Sequence, residues 1–183
     1  APSVLIATRF GDRVTGSASQ DVIAGLDGDD ILSGGAAPDR LLGGRGNDIL
    51  AGGSGADVLD GGDGAADEAR YASSGSRVVI DLTDPSGQTN AGDAQGDTFV
   101  AIERFRLSVH GDAFLGSNAT GAVNWASGEG GDDVFTSGGA GTVNIFAGGS
   151  GGDIFWGGAG EDQFRGGVGA DAMNGGANRD WLY

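Results

Sequence analysis

The stretch GGRGNDILAGGSGADVLD, residues 43–60, states one nine-residue pattern twice: two glycines, a variable residue, another glycine, an aspartate at the sixth place and an aliphatic residue at the eighth. Ordering glycine is entropically costly, so a chain that spends so many positions on it needs a compensating source of free energy. The aspartate kept in every period is the first candidate.

The frame extends in both directions. With Asp48 and Asp57 at position six, Leu50 and Leu59 fall at position eight. Backwards, the units contribute Asp39 and Leu41, Asp30 and Leu32, Asp21 and Ile23, and Asp12 and Val14 without a slip. Forwards, GGDGAADEA (61–69) breaks the frame: Ala66 takes the carboxylate's place, Glu68 the apolar place, and Asp67 is a partial substitute. A second array runs from GGSGGDIFW (148–156) to GGANRDWLY (175–183) and carries Asp153, Asp162, Asp171 and Asp180. Upstream of it, GEGGDDVFT (128–136) supplies Asp133 and GAGTVNIFA (139–147) has Asn144 at position six. GSNATGAVN (116–124) keeps only the spacing, and GDAFL (111–115) keeps Asp112 and Phe114. Asp thus recurs at position six in eleven units, which a merely solvated acidic surface does not explain. The apolar position changes from aliphatic to Phe135, Phe146, Phe155 and Phe164 in the second array.

A period of nine is too short for a helical repeat. It accommodates a six-residue turn and a three-residue strand whose middle side chain points inward. Stacked units form an all-β solenoid that buries a ladder no single unit could bury. Glycines at positions one, two and four let the turn adopt positive φ; Asn178 is the next-best residue for that conformation, whereas Ala37 and Pro38 fit it poorly. Three regions follow: 1–69 with the first array, 70–110 as a strand-rich connector, and 111–183 with the second array. In the connector, SRVVIDLT (76–83) and DTFVAIERFRLSV (97–109) read as strands around a turn-rich loop. No amphipathic helix is evident.

Composition sets the chemistry. The 183 residues include 40 glycines, no cysteine, and 26 acidic against 10 basic residues, a net charge of −16. That charge opposes nucleic-acid and anionic-membrane binding and favours cations. No apolar stretch approaches the ~20 residues of a membrane-spanning helix. The start, APSVLIATRF, lacks Met and signal-peptide features, as expected of a processed protein or excised module. Stacking sets position-six carboxylates about 4.8 Å apart, where they repel, and one apolar residue in nine offsets little of that. Carboxylates and turn carbonyls form an oxygen-only cage that suits Ca²⁺ better than Mg²⁺. With dissociation constants of order 10⁻⁴ M and ~1 mM calcium, each site contributes ~1.4 kcal/mol, and six or so contribute ~8 kcal/mol. Without calcium, so acidic and glycine-rich a chain is expected to be disordered.

These units resemble the RTX (repeats-in-toxin) nonapeptide G-G-x-G-x-D-x-U-x, matched in full by 43–51, 52–60, 148–156, 157–165 and 166–174. The resemblance implies a parallel β-roll with two units per coil and several Ca²⁺ ions held between units n and n+2. Unit n gives its aspartate and carbonyls two and four; unit n+2 gives its aspartate and carbonyls one and three. Carried over, one ion takes Leu26, Gly28, Asp30, Gly43, Arg45 and Asp48, and the next takes Gly35, Ala37, Asp39, Gly52, Ser54 and Asp57. In the second array the sets are Gly149, Gly151, Asp153, Gly166, Val168 and Asp171, then Gly158, Gly160, Asp162, Gly175, Ala177 and Asp180. Asp12, Asp21 and Asp133 are further candidates, although the turns before Asp12 and Asp21 lack the glycines. A site pairing Asn144 with Asp162 is expected to be weaker, because an amide brings no charge. The family is bacterial and secreted, exported unfolded by type I secretion machinery and folded on external calcium. The chain ends at WLY inside a repeat, an uncapped strand open to self-association.

Other motifs carry less. His110 is the sole histidine, so no HExxH zinc site exists. GGSGG (148–152) satisfies G-x-S-x-G but lies in a turn without strand–turn–helix context. NAT (118–120) is a chance sequon. No catalytic constellation is present, so the expected function is a calcium-binding module of a larger secreted protein. An adhesive or surface-layer segment, or a substrate-binding accessory domain of a secreted hydrolase or polysaccharide-modifying enzyme, are the alternatives; for these Trp125, Trp156 and Trp181 could form a carbohydrate-stacking face.

Overall fold

A computed structural model describes residues 3–119, 121–137, 139 and 141–183; Thr120, the third residue of the sequon, lies outside the described residues. Almost every element is a strand, and every strand-to-strand pairing is parallel. Alternate units go to opposite faces. Ser3–Ile6, Asp21–Asp27, Arg40–Arg45, Val58–Asp63 and Thr98–Val100 form a five-stranded sheet. Val79–Asp81, Ala113–Leu115, Val134–Thr136, Ile154–Trp156 and Ala172–Asn174 form another. The nine-stranded sheet packed against them runs from Arg13–Thr15 through Ile31–Ala36, Ile49–Ser54, Glu68–Arg70, Arg104–Arg106, Val123–Gly130, Val143–Ser150 and Gln163–Val168 to Trp181–Leu182. Residues 31–33 pair with 49–51, eighteen positions on, so two units make one coil. This is an all-β parallel β-roll.

The core is the expected ladder. Ile23, Leu32, Leu41, Leu50 and Leu59 are fully buried and lead into Phe105, Phe114, Phe135, Phe146, Phe155 and Phe164. Burying one such side chain contributes about 1.5–3 kcal/mol. Aromatic rings continue the ladder by stacking: Phe135 lies 5.1 Å from Phe155, and Phe146 lies 5.6 Å from Phe164, both pairs nearly parallel. Residues 70–110 supply strands to all three sheets, because Val79–Asp81, Thr98–Val100 and Arg104–Arg106 each pair with strands of the repeat arrays.

Several local expectations are corrected. Ile31–Ala36, Arg40–Arg45, Ile49–Ser54, Val58–Asp63 and Gln163–Val168 are six residues long, not three, because turn positions one to three remain in the ladder, as in Gly35 opposite Gly53 and Ala36 opposite Ser54, whereas Ile154–Trp156 and Ala172–Asn174 keep the expected three. Unit 61–69 does not break the roll. One extra residue shifts its frame, placing Asp67 in the aspartate column and Ala69 opposite Leu50. In the stretch read as 116–124, Asn124 holds position six and Ala126 sits opposite Phe146. The three tryptophans do not share a face: Trp125 and Trp181 belong to the nine-stranded sheet and Trp156 to a different one.

Candidate metal centre

Strand alternation aims positions six, eight and one inward, so Asp48, Leu50 and Gly52 form a buried row within one strand and its approach. The inward carboxylates stack into columns. At every link except that between Asn124 and Asn144, the backbone N–H at position six donates to a carboxylate oxygen of the next coil at 2.7 to 3.0 Å. The first column joins Asp21, Asp39, Asp57 and Asp97. A second joins Asp12, Asp30, Asp48, Asp67 and, through its Oε2, Glu103. A third joins Asp112, Asp133, Asp153 and Asp171. A fourth joins Asn124, Asn144, Asp162 and Asp180, with the two amides linked side chain to side chain at 2.8 Å.

The second carboxylate oxygen is different. Oδ2 of Asp30, Asp39, Asp48, Asp57, Asp67, Asp133, Asp153 and Asp162 is buried and has no hydrogen-bond partner among the described residues. An unpaired buried charge of this kind is strongly unfavourable. Its surroundings supply acceptors, not donors. A Cβ built on Gly25 would collide with Asp30 Oδ2 and the Gly43 carbonyl oxygen; Gly44 and Gly46 lie directly against the carbonyls of Leu26 and Gly28. The Arg45 carbonyl accepts from the Gly28 N–H at 2.7 Å, which leaves one lone pair free.

The same arrangement recurs at the other carried-over sets. The carbonyls of Gly35 and Ala37 face Gly53 and Gly55, and the Gly52 carbonyl faces Gly34 beside Asp39 Oδ2. Ser54 lies opposite Ala36 in the ladder. Gly149 and Gly151 turn their carbonyls to Gly167 and Gly169, the Gly166 carbonyl faces Gly148, and the Val168 carbonyl accepts from Gly151. The Gly158 carbonyl faces Gly176 and accepts from the Ala177 N–H, and the Gly175 carbonyl faces Gly157; Gly160 packs against the Thr142 carbonyl. Among the described residues no three carboxylate or imidazole groups converge. A cation here would take most of its ligands from backbone oxygen, which suits Ca²⁺ and its flexible coordination.

Glycine has two separate jobs in these turns. Positive φ occurs at positions two and four, as at Gly44 (+113°) and Gly46 (+131°), and even non-glycine residues adopt it there: Leu26, Glu129, Ala37 and Asn178. Position one, expected to share that backbone, does not. Gly43 and Gly52 are required because their missing side chains leave room for the Oδ2 of Asp48 and Asp57.

Asp97, Glu103 and Asp112 enter the columns although their turns lack the full glycine pattern, and Asp67 enters although one extra residue separates it from the GGDG turn (61–64). What survives around them is the pairing of a carboxylate with an apolar residue two positions on that packs into or against the core, as in DTF (97–99), ERF (103–105) and DAF (112–114). Asp97 ends its column differently, because its Oδ2 accepts from the Tyr71 hydroxyl at 2.6 Å.

Burial pushes the carboxyl of Asp48 up to about 6, Asp57 to about 6, Asp97 to about 7 and Asp133 to about 8, from an ordinary value of 3.8. Hydrogen bonds from Thr8 hold Asp12 below that value. Below about pH 4 these raised groups are protonated in both folded and unfolded chains and impose no penalty. As pH rises towards 6 to 8, the unfolded chain ionises while the buried groups resist, so the metal-free fold loses stability. In excess chelator, circular dichroism should therefore show more strand at pH 5 than at pH 8. Equal signal at both would contradict the burial of these carboxyls.

The family model described as RTX calcium-binding nonapeptide repeat (4 copies) matches residues 6–41, 33–65 and 147–182, together more than half of the chain. No curated protein matches it. The oxygen-lined turns, the columns of aspartates and the roll that stacks them agree with that match, and the chain belongs to the RTX family as a calcium-binding β-roll module.

Proposed function

We propose that this chain is the calcium-triggered folding module of a larger secreted bacterial protein. It passes through type I secretion machinery unfolded and folds in extracellular calcium, with 1–69 and 111–183 as its calcium-binding blocks and 70–110 between them. One observation carries the reading: eight buried aspartate oxygens lack any donor among the described residues, so the closed roll depends on a cation. The repulsion within each column is the off-state, and calcium converts it into the on-state. No catalytic role is assigned: Ser150 of GGSGG lies exposed in a calcium turn, and His110 stands alone. No helix among the described residues is long and apolar enough to cross a membrane.

Titrating calcium into chelator-treated protein at neutral pH, followed by circular dichroism and light scattering, tests this. Strand signal and compaction should rise together with calcium. Full strand content and a compact radius already present in excess chelator would overturn the reading.

A further inference from the structure

Each of the four columns begins with a turn unlike those that follow. In the first turns of three columns, a hydroxyl residue stands at position two. The Thr8 N–H and Oγ1 donate to Asp12 Oδ2 at 2.7 and 2.6 Å. Ser17 does the same to Asp21 Oδ2 at 2.7 and 2.9 Å. Ser108 N–H reaches Asp112 Oδ2 at 2.6 Å, and its hydroxyl lies 2.9 Å from both oxygens. The fourth column starts at the neutral Asn124, whose Oδ1 accepts from the Ser117 N–H at 2.8 Å.

Position two is where the two kinds of turn diverge. Ahead of every partnerless Oδ2, the residue there has positive φ: Leu26, Gly35, Gly44, Gly53, Gly62, Glu129, Gly149 and Gly158. That backbone swings the N–H away from the carboxylate and presents a carbonyl to the next coil. Thr8, Ser17 and Ser108 lack positive φ, so their N–H groups stay aimed at the carboxylate and their hydroxyls add a second donor. Donors then occupy the oxygen that a cation would otherwise take.

We infer that a Ser or Thr at position two is a built-in substitute for the cation, capping the start of a column so that the turns of Asp12, Asp21 and Asp112 close without calcium. Asn124 performs the same role with an uncharged side chain. The calcium demand is thereby divided into two sets, one following the caps at Thr8 and Ser17 and one following Ser108 and Ser117. Between the sets lies a waist where Tyr71 closes Asp97 and Ser108 closes Asp112. The inference rests on the calcium reading of the preceding subsection, since it concerns which turns take the ion.

Equilibrium dialysis of the full chain against calcium, with bound ions counted per chain, tests it. Asp21→Asn and Asp112→Asn should leave the count unchanged, whereas Asp39→Asn and Asp153→Asn should each lower it by at least one. Ser17→Gly, at the exposed end of the roll, should raise it by one. If Asp112→Asn fails to fold, the comparison of Asp21→Asn and Ser17→Gly with Asp39→Asn decides. Equal losses from Asp21→Asn and Asp39→Asn, or no gain in Ser17→Gly, would overturn the inference while leaving the functional reading intact. A parent chain that binds no calcium would overturn both.

Discussion

Gly43→Ala is expected to strip calcium from two successive levels of the roll. Its new methyl group would land on Asp48 Oδ2, 2.8 Å from the Asp48 carboxyl carbon and 2.5 Å from the Gly61 carbonyl oxygen. The carboxylate cannot move aside freely, because its Oδ1 is held by the Asp30 N–H at 2.8 Å. Gly43 also presents its own carbonyl beside Asp30 Oδ2, so displacing its backbone disturbs the level above as well. At millimolar calcium the loss of two ions removes about 3 kcal/mol, and the overpacking adds about 1–3 kcal/mol. Calcium-dependent thermal melting measures the sum, and the outward-facing Arg40→Ala serves as the control. A Gly43→Ala protein that melts like Arg40→Ala would show that position one does not need to be empty.

The second large effect lies in the core. Phe146 touches three other rings, Phe114 at 5.7 Å, Phe135 at 5.2 Å and Phe164 at 5.6 Å, and is essentially inaccessible to solvent. Truncating it to alanine leaves a cavity bridging both faces of the roll, with an expected cost of about 3–5 kcal/mol. That is a large fraction of the about 5–15 kcal/mol stability of an ordinary domain. Urea unfolding at saturating calcium should show Phe146→Ala far below the parent and Trp156→Ala, half exposed on the outer face, close to it. Similar midpoints for the two variants would contradict the aromatic ladder as the main apolar support of the second array.

Much of this molecule is legible from spacing alone. A buried side chain every nine residues, with a carboxylate two positions before it, dictates parallel stacking, two faces and aligned aspartates. Asp30, Asp39, Asp48, Asp57, Asp153 and Asp162 all stand in their columns as the frame requires. Reading failed where the frame carried insertions. Asp97 follows Asp57 by 40 residues and Glu103 follows Asp67 by 36, so periodicity gave no warning that they are neighbours. In both cases the intervening chain runs longer than one coil and gives the strand Val79–Asp81 to another sheet before it returns to the column. The acidic–apolar pair, not the glycines, is what re-enters.

The sequence by itself determined the period, the residue types facing inward and hence the roll, because a strand's alternation and a repeat's length are local properties. Tertiary structure alone decided which carboxylate oxygens are satisfied. Asp48 and Asp112 each stand two positions before a buried apolar residue, but the turns ahead of them differ, GGRG (43–46) against LSVH (107–110). One is left without a donor by a glycine turned to positive φ, and the other is closed by the N–H and hydroxyl of Ser108. That difference depends on which way a single peptide unit faces once the coils are stacked.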